Sequence, residues 1–311
     1  AIGGLETFQS HLDHQHTRAA PLGLYVEGFL VSSLAQVARD HPEWRMLLHG
    51  GKFETHYSKS DEPIYAMCPH VEGWQDWLAA TVAKLVADTG VDGFYLNEFG
   101  FNSSGYFCHS AEHGHPVPAP PLSAEVQLMA KVRAALPDDV VLYTEEAGTD
   151  VWAQTCDGAF GYASAFTDPD QSPGQVPPLR FLYPDYKFFQ INPSTRNWNG
   201  FKDRIYSVLF NGLGLNTGTY WQEPDLLDHQ RRIMTILQTH ASTFNSDQAE
   251  PLVSTLIDGV YANEFPGASE TIWTVWNSHW RTLRRPVLRV PHVAGATYQN
   301  LWSDTRLEPV V

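Results

Sequence analysis

Two stretches of this sequence end in carboxylates at positions where chemistry can use them. GVDGFYLNEFG (90–100) is an apolar run that closes on Asn97 and Glu98, and LYTEEAG (142–148) closes on Glu145 and Glu146. Their apolar bodies read as buried strands, so each polar tip is carried by a rigid element. Hydrolysis at an anomeric carbon needs two such groups. One attacks or stabilises the oxocarbenium-like centre, and the other protonates the leaving oxygen. A single polar strand end reads more simply as a cap or a turn; two together shift the reading to catalysis. Adjacent glutamates on an extended strand point to opposite faces, so only one of Glu145 and Glu146 faces a cavity. The other forms a salt bridge or caps the following short helix. A third strand, LGLYVEGFLV (22–31), carries Glu27, which either faces the same cavity or is a buried, paired carboxylate.

FCHSAEHGHPVPAPP (107–121) gathers Cys108, His109, His113 and His115 on the loop after the 91–98 strand. Cysteine and histidine are zinc ligands, but the local spacing C-H-x3-H-x-H matches no standard zinc signature. The loop therefore reads as a cleft lining, with His113 and His115 hydrogen-bonding to substrate; no metal, no cofactor and no tightly bound zinc are expected. Tyr220 and Trp221 read either as a sugar platform or as core. His49 and His56 sit in a long loop, 43–66, that is too long for a plain connector and reads as a functional loop over a scaffold. Arg180 and Asp185 flank RFLYPD and read as an exposed loop salt bridge.

Helices and strands alternate up to about residue 242. Helices are expected over 4–19, 33–41, 71–89, 122–136, 199–211 and 225–242, with a short one near 149–156. Between them lie strands at 22–31, 91–98, 138–148, 157–165, 186–192 and 213–221. The 71–89 helix keeps Trp74, Trp77, Leu78, Val82, Leu85 and Val86 at helical spacing and stops at Gly90. Ser123 reads as the cap of the 122–136 helix. After Asn245 the texture changes to short strands at 252–263, 270–277, 285–290 and 296–302. The expected organisation is a (β/α) barrel domain over 1–245 and a β-rich domain over 246–311.

Buried apolar strands alternating with helices imply a parallel sheet, in a (β/α)8 barrel or a doubly wound open sheet. No G-x-G-x-x-G or Walker sequence follows any strand, which weakens the nucleotide-binding alternative. Glu27, Asn97-Glu98, Glu145-Glu146, Asn192 and Asn216 gather at strand C-terminal ends, as a barrel site requires. Six strands rather than eight, with a helix first, point to two N-terminal units lying outside the given residues.

Composition limits the partners. With 20 Lys+Arg against 35 Asp+Glu, the net charge is -15. Such a chain lacks the basic footprint that holds a phosphate backbone, so no nucleic-acid partner is expected. No apolar run reaches the length of a membrane span, and no signal-peptide pattern opens the chain. Cysteines number three, without a CxxC, so no disulfide framework is indicated. Aromatics at 13% fit large cores or stacking on pyranose faces.

DGFYLNEFG is similar to the fourth-strand segment of the α-amylase, α-glucosidase and α-galactosidase barrel hydrolases, which run G-x-D-G-[FIV]-x-x-D. The preceding MCPHVEGWQDWLAATVAKLVADTGV (67–91) resembles their helix before that strand, and residues 3–31 their helix and third strand. ANEFPGASETIWTVWNSHWRT (262–282) resembles the opening of their C-terminal β-domain. The resemblance implies a glycosidase acting on carbohydrate, with Glu145 or Glu146 as acid/base. It also exposes a departure: Asn97 stands where those families keep the nucleophilic Asp. A neutral amide is a very poor nucleophile. Either Glu98 does the work, or Asn97 disables the enzyme, or Asn97 positions substrate. A non-catalytic carbohydrate-binding relative is thus the alternative. A metal-dependent barrel hydrolase is weaker, because the H-x-H of His113 and His115 lies in a loop rather than at the end of a first strand.

Overall fold

The computed structural model describes residues 3–59, 61–99, 106–145, 150–161, 176–191, 206–216, 224–279 and 281–310. The chain is mixed α/β and divides into two compact units, Ala1–Phe160 and Gly161–Val311.

In the first unit, strands β1 (Gly23–Glu27), β4 (Gly93–Asn97), β5 (Val141–Thr144) and β6 (Gly158–Gly161) lie side by side in that order, all parallel. The register sets Glu27 beside Asn97 and Leu96 beside Thr144. Side chains alternate between faces along a strand. One face carries Phe94, Leu96, Leu142 and Thr144, all fully buried. The other carries an aromatic ladder, in which Tyr25 lies 5.3 Å from Tyr95, and Phe160 meets Tyr95 at 4.8 Å and Tyr143 at 5.5 Å. Glu27, Asn97 and Glu145 follow these tyrosines by two residues, on the ladder's face.

Helices α3 (Glu72–Thr89) and α4 (Leu122–Ala135) pack on each other. Trp74, Leu78 and Val82 of α3 and Leu128, Met129 and Val132 of α4 are buried at helical spacing. Gly90 ends α3 in the left-handed conformation, which glycine adopts without a Cβ penalty. Ser123 is not the cap of α4: Pro121 occupies that position and Ser123 lies within the first turn. At the opposite ends of the strands, carboxylates hold backbone. Asp92 accepts from the Leu22 N–H at 2.7 Å, and Asp157 from the Leu142 N–H at 2.7 Å.

The expected 22–31 strand is two strands. β1 stops at Glu27, and β2 (Leu30–Ser32) pairs antiparallel with β3 (Ile64–Ala66). The break is at Gly28, whose N–H bonds to the Asn97 carbonyl at 3.3 Å and where a Cβ would lie 1.9 Å from the Phe99 ring.

The second unit contains the parallel pair β7 (Lys187–Ile191) and β8 (Gly214–Asn216). It also contains an antiparallel hairpin, β9 (Val260–Pro266) with β10 (Thr271–Asn277), and a smaller one, β11 (Tyr298–Asn300) with β12 (Thr305–Leu307). Residues 285–290, expected as a strand, contribute only an isolated bridge between Leu288 and Thr255. Ile236, Phe244, Phe265 and Ile272 form one buried cluster of its core. Asn263 ties β9 to neighbouring backbone: its amide donates to Phe210 O at 2.8 Å and its carbonyl accepts from the Leu252 N–H at 2.9 Å. Arg180 is buried, not exposed. It donates to Gly212 O at 3.1 Å and to Phe244 O, lies over the Phe181 and Phe265 rings, and burial lowers its pKa to about 10. Its place on the short helix Pro178–Leu182 turns the side chain into the core.

Candidate active site

Three adjacent parallel strands each end in a carboxylate. β1 ends in Glu27, β4 runs into Asn97 and Glu98, and β5 into Glu145. The side-by-side register brings these ends together, and hydrogen bonds join them. Asn97 Nδ2 donates to Glu27 Oε2 at 3.0 Å, and the Glu98 backbone N–H donates to Glu145 Oε2 at 2.8 Å. The second bond links two strand tips through a charge-assisted contact, the stronger kind. Glu98 has left the strand: its φ is 64°, in the left-handed region that non-glycine residues adopt only at a cost. Its side chain and that of Glu145 are buried.

Two tyrosines complete the group. Tyr57 Oη donates to Glu98 Oε1 at 3.2 Å, and Tyr25 Oη donates to Glu27 Oε2 at 3.2 Å. Burial first, then the Glu27 carboxylate, pushes the Tyr25 phenol up, so it remains a donor. Burial is also the largest influence on Glu27 and raises it to about 7. The bonds from Asn97 and Tyr25 oppose that rise, while the Glu98 and Glu145 charges add to it. Near neutrality Glu27 therefore exchanges its proton readily, whereas an ordinary carboxyl has long since lost it.

Of the residues singled out in the sequence, Glu27, Asn97, Glu98 and Glu145 come together. Glu146, Asn192, Tyr220 and Trp221 lie outside the described residues. His113 and His115 direct their ring nitrogens elsewhere. His113 faces Cys108 Sγ at 3.3 Å and Glu43 O at 2.8 Å, and His115 faces Cys68 Sγ at 3.5 Å and Pro116 O at 2.9 Å. The long 43–66 loop reaches the carboxylates through Tyr57, a residue that sequence reasoning passed over in favour of His49 and His56. Tyr25 was also passed over, although its spacing of two from Glu27 puts both on one face of a strand.

Comparison with solved structures gives the class of fold. The chain is similar to an α-amylase from Lactobacillus plantarum at 16% identity and a TM-score of 0.68, covering 99% of this chain and 79% of that one. It is similar to the maltogenic α-amylase AmyB from Thermotoga neapolitana at 12% identity and a TM-score of 0.66, covering 98% and 76%. For the GH36 α-galactosidase AgaA from Geobacillus stearothermophilus the values are 13% and 0.58, covering 96% of this chain and 40% of that one. In fold the chain is thus similar to α-amylase and α-galactosidase structures, as the sequence resemblance implied. The chain belongs to the DUF6259 family, a domain of unknown function, whose model matches residues 1–188. No curated protein matches it by sequence.

Proposed function

We propose that this protein is a glycoside hydrolase that acts on carbohydrate through the carboxylates at the ends of β1, β4 and β5. The observation that carries the reading is the convergence of Glu27, Glu98 and Glu145 on neighbouring strand tips, with Glu27 raised to about 7. Buried carboxyls crowded together do not all ionise at once, and such a site separates into acid and base. In this reading Glu98 is the anionic group that attacks or stabilises the anomeric centre. Glu27 is the acid that protonates the leaving oxygen. Glu145 holds the Glu98 backbone, and together with Glu146 it remains the other acid/base choice. Tyr220 and Trp221 serve as the sugar platform. The parallel strands belong to a (β/α)8 barrel over 1–245, followed by a β-rich domain over 246–311. The similarity in fold to the α-amylases and the α-galactosidase supports both the barrel and the carbohydrate substrate.

A carbohydrate-binding protein without turnover is the second reading, favoured by Asn97. Its amide donates to Glu27 and so acts as a fixed hydrogen bonder where the resembling enzymes place a nucleophile. The test is turnover of a panel of activated aryl glycosides by the unaltered chain, Glu98→Gln, Glu27→Gln and Asn97→Asp. Under the first reading the unaltered chain is active and Glu98→Gln loses at least ~10³-fold, because a dipole replaces a charge in a dry site. Inactivity of the unaltered chain combined with a gain of that size in Asn97→Asp would establish the second. Full activity in Glu98→Gln would sink the role given to Glu98.

A further inference from the structure

A second cluster of chemistry-bearing side chains lies in the first unit. Cys68, Cys108, His113 and His115 bring their donor atoms within 4.8 Å of one another. They come from separate segments that the backbone holds together. Cys68 follows β3, is fully buried, and its N–H donates to Trp44 O at 2.9 Å. Cys108, also fully buried, exchanges two backbone bonds with Ala119, at 3.0 and 2.9 Å, closing the 108–119 loop at its neck. Inside that loop a 3-10 turn over Ala111–His113 leads into Gly114, which is left-handed at φ 73°. That reversal lets two histidines only two positions apart face the same point.

The outer ring nitrogens fix what the inner ones present. His113 Nε2 meets the Glu43 carbonyl at 2.8 Å, and His115 Nδ1 meets the Pro116 carbonyl at 2.9 Å. A carbonyl only accepts, so each of these nitrogens carries the hydrogen. In the neutral ring the other nitrogen is then a bare lone pair. Those lone pairs, His113 Nδ1 and His115 Nε2, face Cys108 Sγ at 3.3 Å and Cys68 Sγ at 3.5 Å. Zinc-bound histidines are oriented by this kind of carbonyl contact. Tetrahedral zinc with bonds of ~2.3 Å to sulfur and ~2.0–2.1 Å to nitrogen separates S from N by about 3.6 Å. The two S···N distances lie close to that value.

We propose that Cys68, Cys108, His113 and His115 form a structural zinc site. Two thiolates and two imidazoles in a closed four-donor set match the softness and geometry zinc takes, and leave no open position for a substrate. The ion clips the 108–119 loop to the Glu43–Trp44 turn and the end of β3. The sequence expectation of no zinc rested on donors adjacent in one loop. The fourth donor comes from 40 residues upstream of Cys108, and His109, which lies in the loop, is not among the four.

The test is metal analysis of the full chain purified under reducing conditions and dialysed. One equivalent of zinc is expected, retained in His109→Ala and lost in Cys108→Ser and His113→Ala. Because those variants can unfold, the unaltered chain carries an independent measurement. After stripping with a chelator it is titrated with cobalt(II), which should give the intense visible bands of a tetrahedral site and thiolate charge transfer, both erased by one equivalent of zinc. Cys68 and Cys108 should resist alkylation until the chelator is added, and the melting midpoint should fall with it. Three results would each overturn the proposal. One is a metal-free chain that gives no tetrahedral cobalt bands. Another is a Cys68–Cys108 disulfide in peptide mapping. The third is a melting midpoint indifferent to chelator, which would mean that S–H···N hydrogen bonds alone hold the quartet.

Discussion

Glu27 links the chemistry of the site to the stability of the fold. Its carboxyl is raised from 4.5 to about 7, so between these values the folded chain holds more of a proton than the unfolded chain does. Stability therefore falls as pH rises through that window and levels off above it. A shift of this size corresponds to a ceiling of about 3 kcal/mol, reduced by solvent screening. Glu27→Gln keeps an oxygen for the Asn97 amide and cannot ionise. It should gain on the wild type as pH rises from about 5 to 8, read from urea midpoints at the two pH values. Midpoints that move in parallel would show that Glu27 titrates normally. Asn97→Asp should act oppositely, since a new carboxylate in place of a donor drives the Glu27 proton on more firmly.

At the scale of elements, the site depends on β1 ending where it does. Gly28 sits against Phe99, which is fully buried, and a methyl group there would overlap the ring. Gly28→Ala should cost roughly 1–3 kcal/mol through overpacking, seen as a lower denaturant midpoint at unchanged m. It should also disturb the Glu98 turn, because Phe99 is the next residue. In the second unit, Asn263 offers a cleaner case. Its removal leaves Phe210 O with the Thr274 hydroxyl at 2.6 Å but orphans the Leu252 N–H. Asn263 itself is fully buried, so Asn263→Ala should cost about 1–3 kcal/mol through its lost hydrogen bonds and the part-buried Leu252 N–H left without its partner. A neutral result would mean that water reaches Leu252.

For the whole molecule, a charge of -15 opposes compactness through self-repulsion. Raising ionic strength from about 0.01 to 0.15 M shortens the screening length from ~30 to ~8 Å. The melting midpoint should rise over that range, measured by scanning calorimetry in sodium chloride. A fall would show that surface pairs such as Lys131–Asp76, at 2.6 Å, outweigh the repulsion. No helix among the described residues is long and apolar enough to cross a membrane.

The sequence by itself determined what local periodicity and end signals encode. Helix α3 and its stop at Gly90, the parallel strands, and the carboxylates at their tips were all legible, because side-chain alternation and helical spacing need only neighbouring residues. The tertiary structure decided whatever required residues far apart to meet. The Glu98 amide finds Glu145 across a strand register, and Tyr57 reaches Glu98 from a loop 41 residues away. The 22–31 segment breaks at Gly28, where the chain passes against Phe99 and leaves β1 to pair with β3, partners that no pattern within 22–31 records. Cys68 meets Cys108, His113 and His115 only because β3 and a closed loop present them to one point. Spacing along the chain reports distance for a few residues and then loses it, so a cluster gathered across 40 or more positions exists only in the folded molecule.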